Sequence, residues 1–426
     1  MEISQLHQLF LNAKGICTDT RKIEKKALFF ALKGDNFNGN KYADLAIENG
    51  CTYAIVDEQK FVLNENYILV DSVLETLQKL ANFHRKQFNI PVIGITGSNG
   101  KTTTKELIGE VLKQKYNVLM TQGNLNNHLG VPFTLLNLNK THEIAIIEMG
   151  ANKPGDIKEL VDIAEPTHGI ITNIGTAHIE GFGSRQGVID TKTELYNFIE
   201  KSEGTIFINN EDDTLKSKLP NVETITYATK NAYITGDLLE LTPFVNFKWA
   251  TSQFQSQIIK TNLIGEYNFT NFLAAIAIGV TFNVDKSKIS KALSAYIPSN
   301  NRSQVQKTER NTLIVDCYNA NPTSMESAIH SFEMIKANNK LLILGDMLEL
   351  GHITGEEHQN IIHILEQKKL KAILVGIEFS KQSSNFATYL TTKALVENED
   401  LSQIKDYFIL LKGSRGIKLE TLIDCL

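Results

Sequence analysis

Sulfur is scarce in this chain: the four cysteines, Cys17, Cys51, Cys317 and Cys425, are scattered, with no CxxC pair and no metal-ligand spacing. That pattern excludes a disulfide scaffold and makes free thiols in a reducing cytoplasm the expectation. Long apolar runs are missing too. None approaches the ~18 residues of a spanning helix, so no membrane partner is expected, and FLAAIAIGV at 272–280 reads as a buried helix. Lysine and arginine form no block that could track a phosphate backbone, and the net charge is −5, which argues against a nucleic-acid partner. The opening MEISQLHQLF carries an acid and no basic segment leading into an apolar one, unlike a signal peptide.

What is present is an ordinary globular composition, 42% hydrophobic and 21% charged. At about 150 residues per domain, 426 residues suggest two to four domains. No repeat or low-complexity linker marks the joints, so boundaries follow from where the pattern of strands and helices restarts. ALFFALKG, YAIVD and YILVD, around two helices, make a small α/β module over residues 1–89. From Pro91, IGIT, EIAIIEM and HGIITNI alternate with helical stretches, the signature of βαβ units and a parallel sheet, which spans 90–298. TLIVD, LLILGD, AILVG and YFILLKG repeat that alternation in 299–426, a Rossmann-like α/β domain. The fold class is thus α/β with three domains, the central one a P-loop domain.

The most informative segment is GITGSNGKTT at 94–103, between an apolar strand and a helix. Glycines let a backbone curl so that its N–H groups point at phosphate oxygens, and a helix N-terminus adds positive potential. Gly97, Ser98, Asn99, Gly100, Lys101, Thr102 and Thr103 are accordingly expected to bind ATP, with the Lys101 charge on the phosphates and the Thr102 hydroxyl on magnesium. The spacing is G-x-x-G-x-x-G-K-T; Ile95 stands where the common Walker pattern has glycine.

Four downstream residues extend this site. Glu148 ends the apolar run EIAIIE at the sheet edge where ligands of α/β proteins gather, a hard oxygen donor suited to magnesium. His178 lies in the Gly-rich NIGTAHIEGFGS; imidazole is not magnesium's preferred donor, and chemistry alone leaves its role undecided. Asn268 and Asn271 stand one helical turn apart in GEYNFTNFLAA, as a pair of caps or as two amides facing an adenine edge.

The spaced glycines of TGSNGKTT resemble the ATP loop of the Mur ligases, which build the peptide of bacterial cell-wall precursors, and of the related folylpolyglutamate synthases. The resemblance puts His178 on a second magnesium, followed by Glu-Gly-Phe-Gly as here. It implies that Lys192, otherwise a lysine in the first turns of a helix, is carbamylated by carbon dioxide into a metal ligand. Lys101, Glu148, His178 and Lys192 become the catalytic set; Thr102, Glu148, His178 and Lys192 become the metal set. It also implies adenine contact by Asn268 and Asn271, a phosphate contact by Arg302 and a ribose-side role for Asp316. Tyr267 and Asn301 depart from the family's histidine and glycine.

DCYNANPTSM, LGDMLELG and LKGSRG resemble the branch of the family that takes D-alanyl-D-alanine as its incoming amine and UDP-N-acetylmuramoyl-tripeptide as its carboxylate. TDTR, containing Thr20 and Arg21, and GNLNNHLGVP, containing Asn124 and Asn127, resemble substrate-side segments. The implied protein is a cytoplasmic monomer that consumes ATP with magnesium and forms an acyl phosphate. The rival readings are a related ligase with another acceptor and a P-loop switch or motor.

Overall fold

The computed structural model describes residues 1–175, 179–241 and 243–426. They form two compact units, one of Met1–Gly94, Asn117–Met149 and Lys158–Pro166, the other of Ile95–Tyr116, Gly150–Ile157 and Thr167–Leu426.

In the first unit a four-stranded parallel sheet runs Ile16–Cys17, Leu28–Phe30, Tyr53–Val56, Tyr67–Leu69. Leu28–Phe30 is buried throughout, as a central parallel strand covered on both faces should be. The helix Val73–Arg85 starts where Ser72 Oγ accepts the Glu75 N–H at 3.3 Å, and it buries Val73, Leu77, Leu80, Ala81 and His84 along one stripe. Its C-terminal end is tied down by Arg85, whose Nε–H donates to the Ala164 carbonyl at 3.0 Å. His84 Nε2–H donates to the Leu138 carbonyl at 2.9 Å, and His84 Nδ1 accepts from His7 Nε2 at 2.9 Å. The strands Val118–Met120 and Ile144–Glu148 pair in parallel, the second buried at every position.

The second unit holds two sheets. One runs from His168–Ile171 through Thr205–Asn209 and Glu223–Ala228 to Ile234–Glu240 in parallel, then turns antiparallel into Asn246–Thr251 and Phe254–Gln255. The strands after residue 204 are not expected from sequence; Glu223–Ala228 and Ile234–Glu240 are half-exposed and mix polar with apolar residues, so they lack the continuous apolar run of a buried strand. The helix Tyr267–Thr281, buried from Asn271 to Gly279, packs on the loop helix Lys101–Leu112. Gly279 permits the close approach, since a Cβ there would lie 2.4 Å from Val111 Cγ1.

The other sheet runs Gln304–Lys307, Thr312–Asp316, Phe408–Lys412, Lys340–Gly345, Ala372–Val375, Ala387–Tyr389, parallel except for the first pair. Apolar clusters cover its faces, one around Met325, Phe332, Ile362 and Phe379, the other around Val315, Leu395, Leu411 and Leu422. All four strands expected here are found, and both edge strands, short or half-exposed, are additions.

Candidate active site

The phosphate loop follows the strand Val92–Thr96 and opens the helix Lys101–Leu112. Gly97 and Gly100 sit at φ +146° and +80°, backbone that L side chains rarely adopt. A Cβ on Gly97 would fall 1.9 Å from Thr172 Oγ1, so that position also needs the missing side chain for space. The segment 172–175 holds the curl. Ser98 N–H donates to the Asn173 carbonyl at 3.0 Å and Asn99 N–H to Asn173 Oδ1 at 3.0 Å. Thr172 Oγ1–H and Asn173 Nδ2–H both donate to the Asn99 carbonyl, at 2.6 and 3.0 Å, and Gly175 N–H donates to Ser98 Oγ at 2.8 Å. Lys101 folds back so that its ammonium donates to the Gly97 and Ser98 carbonyls, placing the charge over the loop. Thr102 and Thr103 are buried in the first turn.

Asn268 and Asn271 are both buried and bonded within the protein. Asn271 Oδ1 accepts from Thr104 Oγ1 at 3.1 Å, its Nδ2 donates to Asn268 Oδ1 at 2.9 Å, and Asn268 Nδ2 donates to the Ile264 carbonyl at 2.7 Å. The pair braces the loop helix against the helix Tyr267–Thr281. Lys192, expected at a helix surface or as a modified ligand, is 1% exposed. Burial holds its amine well below the ordinary lysine range, and the Lys101 charge adds to the shift. Its Nζ lies 5.6 Å from the centre of the Phe182 ring. His178 lies outside the described residues.

In the first unit Glu148 is 1% exposed, at the end of its strand. Asn126 Nδ2–H donates to Glu148 Oε1 at 2.8 Å, and the Glu148 N–H bonds Thr121 Oγ1 at 3.0 Å. Asn126 is a contact that sequence reasoning missed, although it lies between Asn124 and Asn127 in the same string. Asn127 instead bonds locally, its Oδ1 accepting the Gly130 N–H at 2.9 Å, and both it and Asn124 are exposed. Thr20 and Arg21 lie in a short 3-10 turn, and Arg21 pairs with Asp19 at 2.7 Å on the surface. An open hollow lined by Lys33, Phe37, Asn38, Lys41 and Glu58 lies in the same unit, with Phe37 stacked on Tyr42 at 5.3 Å between ring centres. Neither lysine was singled out from sequence.

Around the last sheet, Arg302 stacks its guanidinium 3.8 Å from the centre of the Tyr318 ring, with Arg415 at 5.6 Å from that ring. Asp316 pairs with Lys412 at 2.6 Å. Tyr267 bonds Ser303 at 2.7 Å. Within LGDMLELG, Asp346 is buried and accepts the Glu378 and Phe379 N–H groups at 2.8 and 2.9 Å.

Among the described residues, no three His, Cys, Asp or Glu side chains converge in a way that could hold a metal ion. The donor set expected from sequence is of another composition: one hydroxyl, one carboxylate, a lysine that ligates only when modified, and His178. Among the described residues no helix is long and apolar enough to cross a membrane.

Residues 12–85 match the Mur ligase family catalytic domain, residues 95–279 the Mur ligase middle domain, and residues 301–414 the Mur ligase glutamate ligase domain. The UDP-N-acetylmuramoyl-tripeptide–D-alanyl-D-alanine ligase of Bacillus subtilis is 35% identical over 425 residues, covering 96% of this chain and 92% of that protein. The enzyme of the same name from Haemophilus influenzae is 32% identical, with 96% and 92% covered. The structure of MurF from Acinetobacter baumannii superposes with a TM-score of 0.90 at 30% identity, over 99% of this chain and 97% of that one. MurF from Thermotoga maritima, solved in complex with ADP, gives 0.87 at 26% identity, over 96% of each. The three-domain α/β architecture expected from the sequence is the one these structures share. With every segment from the phosphate loop to the last sheet matched in order, the chain belongs to the Mur ligase family.

Proposed function

We propose that this protein is an ATP-dependent ligase that joins D-alanyl-D-alanine to UDP-N-acetylmuramoyl-tripeptide, giving the UDP-muramoyl-pentapeptide, ADP and phosphate. The observation that carries the reading is the phosphate loop, curled at Gly97 and Gly100 and clamped by residues 172–175 with Lys101 laid over it. The relatives' names supply the two substrates.

A carboxylate does not acylate an amine at neutral pH, because its oxygen is a poor leaving group. Transfer of the γ-phosphoryl group of ATP makes an acyl phosphate, and the dipeptide's amine then attacks its carbonyl carbon and expels phosphate. The backbone of 97–103 and the Lys101 ammonium orient and neutralise the phosphates. Asn268 and Asn271, at the helix that braces the loop helix, lie on the adenine side, Arg302 faces the phosphates, and Asp316 the ribose side. Magnesium, when bound, would neutralise charge on the transferring oxygens; Thr102, Glu148, His178 and Lys192 would hold it. Lys192 fits that part as a carbamate: carbon dioxide adds to the unprotonated amine, burial and the Lys101 charge both disfavour the ammonium there, and that same charge would attract the product anion.

Residues 1–89 take the uridine nucleotide, with Thr20, Arg21, Asn124 and Asn127 on the substrate side; 90–298 take ATP; and 299–426 take the dipeptide. The protein acts as a monomer in the cytoplasm. The test measures ADP release and product mass with ATP, magnesium, D-alanyl-D-alanine and tripeptides carrying diaminopimelate or lysine as separate arms. Release that needs every substrate, with a product heavier by one dipeptide less water, supports the reading. Rapid ATP turnover without either peptide substrate overturns it in favour of a motor or switch.

A further inference from the structure

We infer that Asn321 is a positioning residue for ligation: its side-chain amide pairs with that of Asn99 and registers the helix Pro322–Glu333 against the phosphate loop, an inference that rests on the ligase reading above. The pairing is reciprocal. Asn321 Nδ2–H donates to Asn99 Oδ1 at 2.7 Å, and Asn99 Nδ2–H donates to Asn321 Oδ1 at 3.4 Å. Asn321 is 2% exposed.

Each partner is held by its own surroundings. Asn321 Oδ1 caps its helix by accepting the Ser324 N–H at 3.0 Å, while its own N–H donates to Ser324 Oγ at 3.1 Å. The Asn99 backbone is fixed at both its N–H and its carbonyl by Thr172 and Asn173. Beside them the surfaces meet: a Cβ on Gly175 would lie 3.3 Å from Thr323 Oγ1 and 3.4 Å from Ser98 Cβ.

Capping alone does not call for asparagine here, since serine, threonine or aspartate caps a helix about as well. An amide carries its acceptor and its donor on separate atoms, so Oδ1 can cap the helix while Nδ2 reaches Asn99 Oδ1; a serine or threonine hydroxyl has one shorter oxygen for both tasks. Aspartate would cap but set a carboxylate against Asn99 Oδ1, beside a loop that gathers anionic phosphates. The pair therefore connects the first helix of the last sheet to the group that grips ATP. Loss of that register misplaces the reacting groups, which lowers turnover more than ground-state binding.

The test compares kcat and KM for each substrate in wild type, Asn321→Ser, Asn99→Ala and the double variant. Serine keeps the cap, so the thermal midpoint of Asn321→Ser should match wild type; Asn321→Asp, which also keeps the cap, is the second variant should serine fail to fold. Asn321→Ser is expected to lower kcat about tenfold with the tripeptide KM unchanged. Asn99→Ala falls at least as far, and the double variant no further than Asn99→Ala alone, because both remove one interaction. Wild-type kcat in Asn321→Ser, or single effects that multiply in the double variant, overturns this inference alone. A wild-type chain that makes no pentapeptide overturns the ligase reading and this inference with it.

Discussion

Lys412 Nζ lies 2.6 Å from Asp316 Oδ2, and the two are register partners on neighbouring parallel strands, Thr312–Asp316 and Phe408–Lys412. The Lys412 side chain is 2% exposed and that of Asp316 14%. The family resemblance implies a ribose-side role for Asp316 and names no partner for it. The ion pair offsets the carboxylate's charge and holds it in place.

Breaking that pair from one side leaves a charge with little water. Lys412→Met should lower the unfolding free energy by about 3 kcal/mol, read from the urea midpoint, and Asp316→Asn with Lys412→Met should recover part of it. A loss below about 1 kcal/mol would rank the pair with exposed surface bridges instead.

Asn126 orients Glu148 without belonging to any set expected from sequence. If Glu148 holds magnesium, Asn126→Ala should raise the magnesium needed for half-maximal activity about tenfold while leaving the thermal midpoint near wild type. An unchanged magnesium requirement would separate Asn126 from the metal.

Lys192 is buried, and burial, with the Lys101 charge, holds its amine well below the ordinary lysine range. Protein equilibrated with ¹³C-bicarbonate should give a carbamate carbon resonance that Lys192→Ala abolishes along with ligation. Lys192→Arg should be equally inactive, because a guanidinium stays charged and does not add carbon dioxide. An active arginine variant, or a wild type without the resonance, would rule out the modification.

Acid should destabilise the chain before its carboxylates titrate. Burial pushes His168 down to about 4, a shift that the Glu223 charge opposes. His7 and His84 are also lowered, His7 by burial and then by the neighbouring His84, His84 by burial against its bond to the Leu138 carbonyl. A histidine with a folded pKa below its unfolded value near 6.5 binds fewer protons when folded. Its contribution is therefore complete above about pH 6.5 and lost as pH falls through 6.5 toward the folded value. For His168 the loss is at most about 3 kcal/mol by pH 4. Urea midpoints at pH 7.5, 5.5 and 4.5 should fall less steeply in His168→Gln; parallel profiles would show that His168 does not contribute.

The phosphate loop, the strands of both parallel sheets that read as apolar runs, and the buried helix around Phe272 were legible in the sequence because each depends on neighbours within a few residues: glycine spacing, apolar runs and a lysine in the first turn. The half-exposed strands Glu223–Ala228 and Ile234–Glu240 were not, since mixed polar and apolar residues carry no clear period. Partners decided the rest. That Asn126 rather than Asn127 reaches Glu148, that Asn268 and Asn271 bond inward, that Lys192 is buried, and that Asn99 meets Asn321 all depend on contacts between segments that are not neighbours in the chain. A residue's type sets which bonds and charges it can offer; burial and the groups packed around it, which only the folded chain brings together, set which of those it uses.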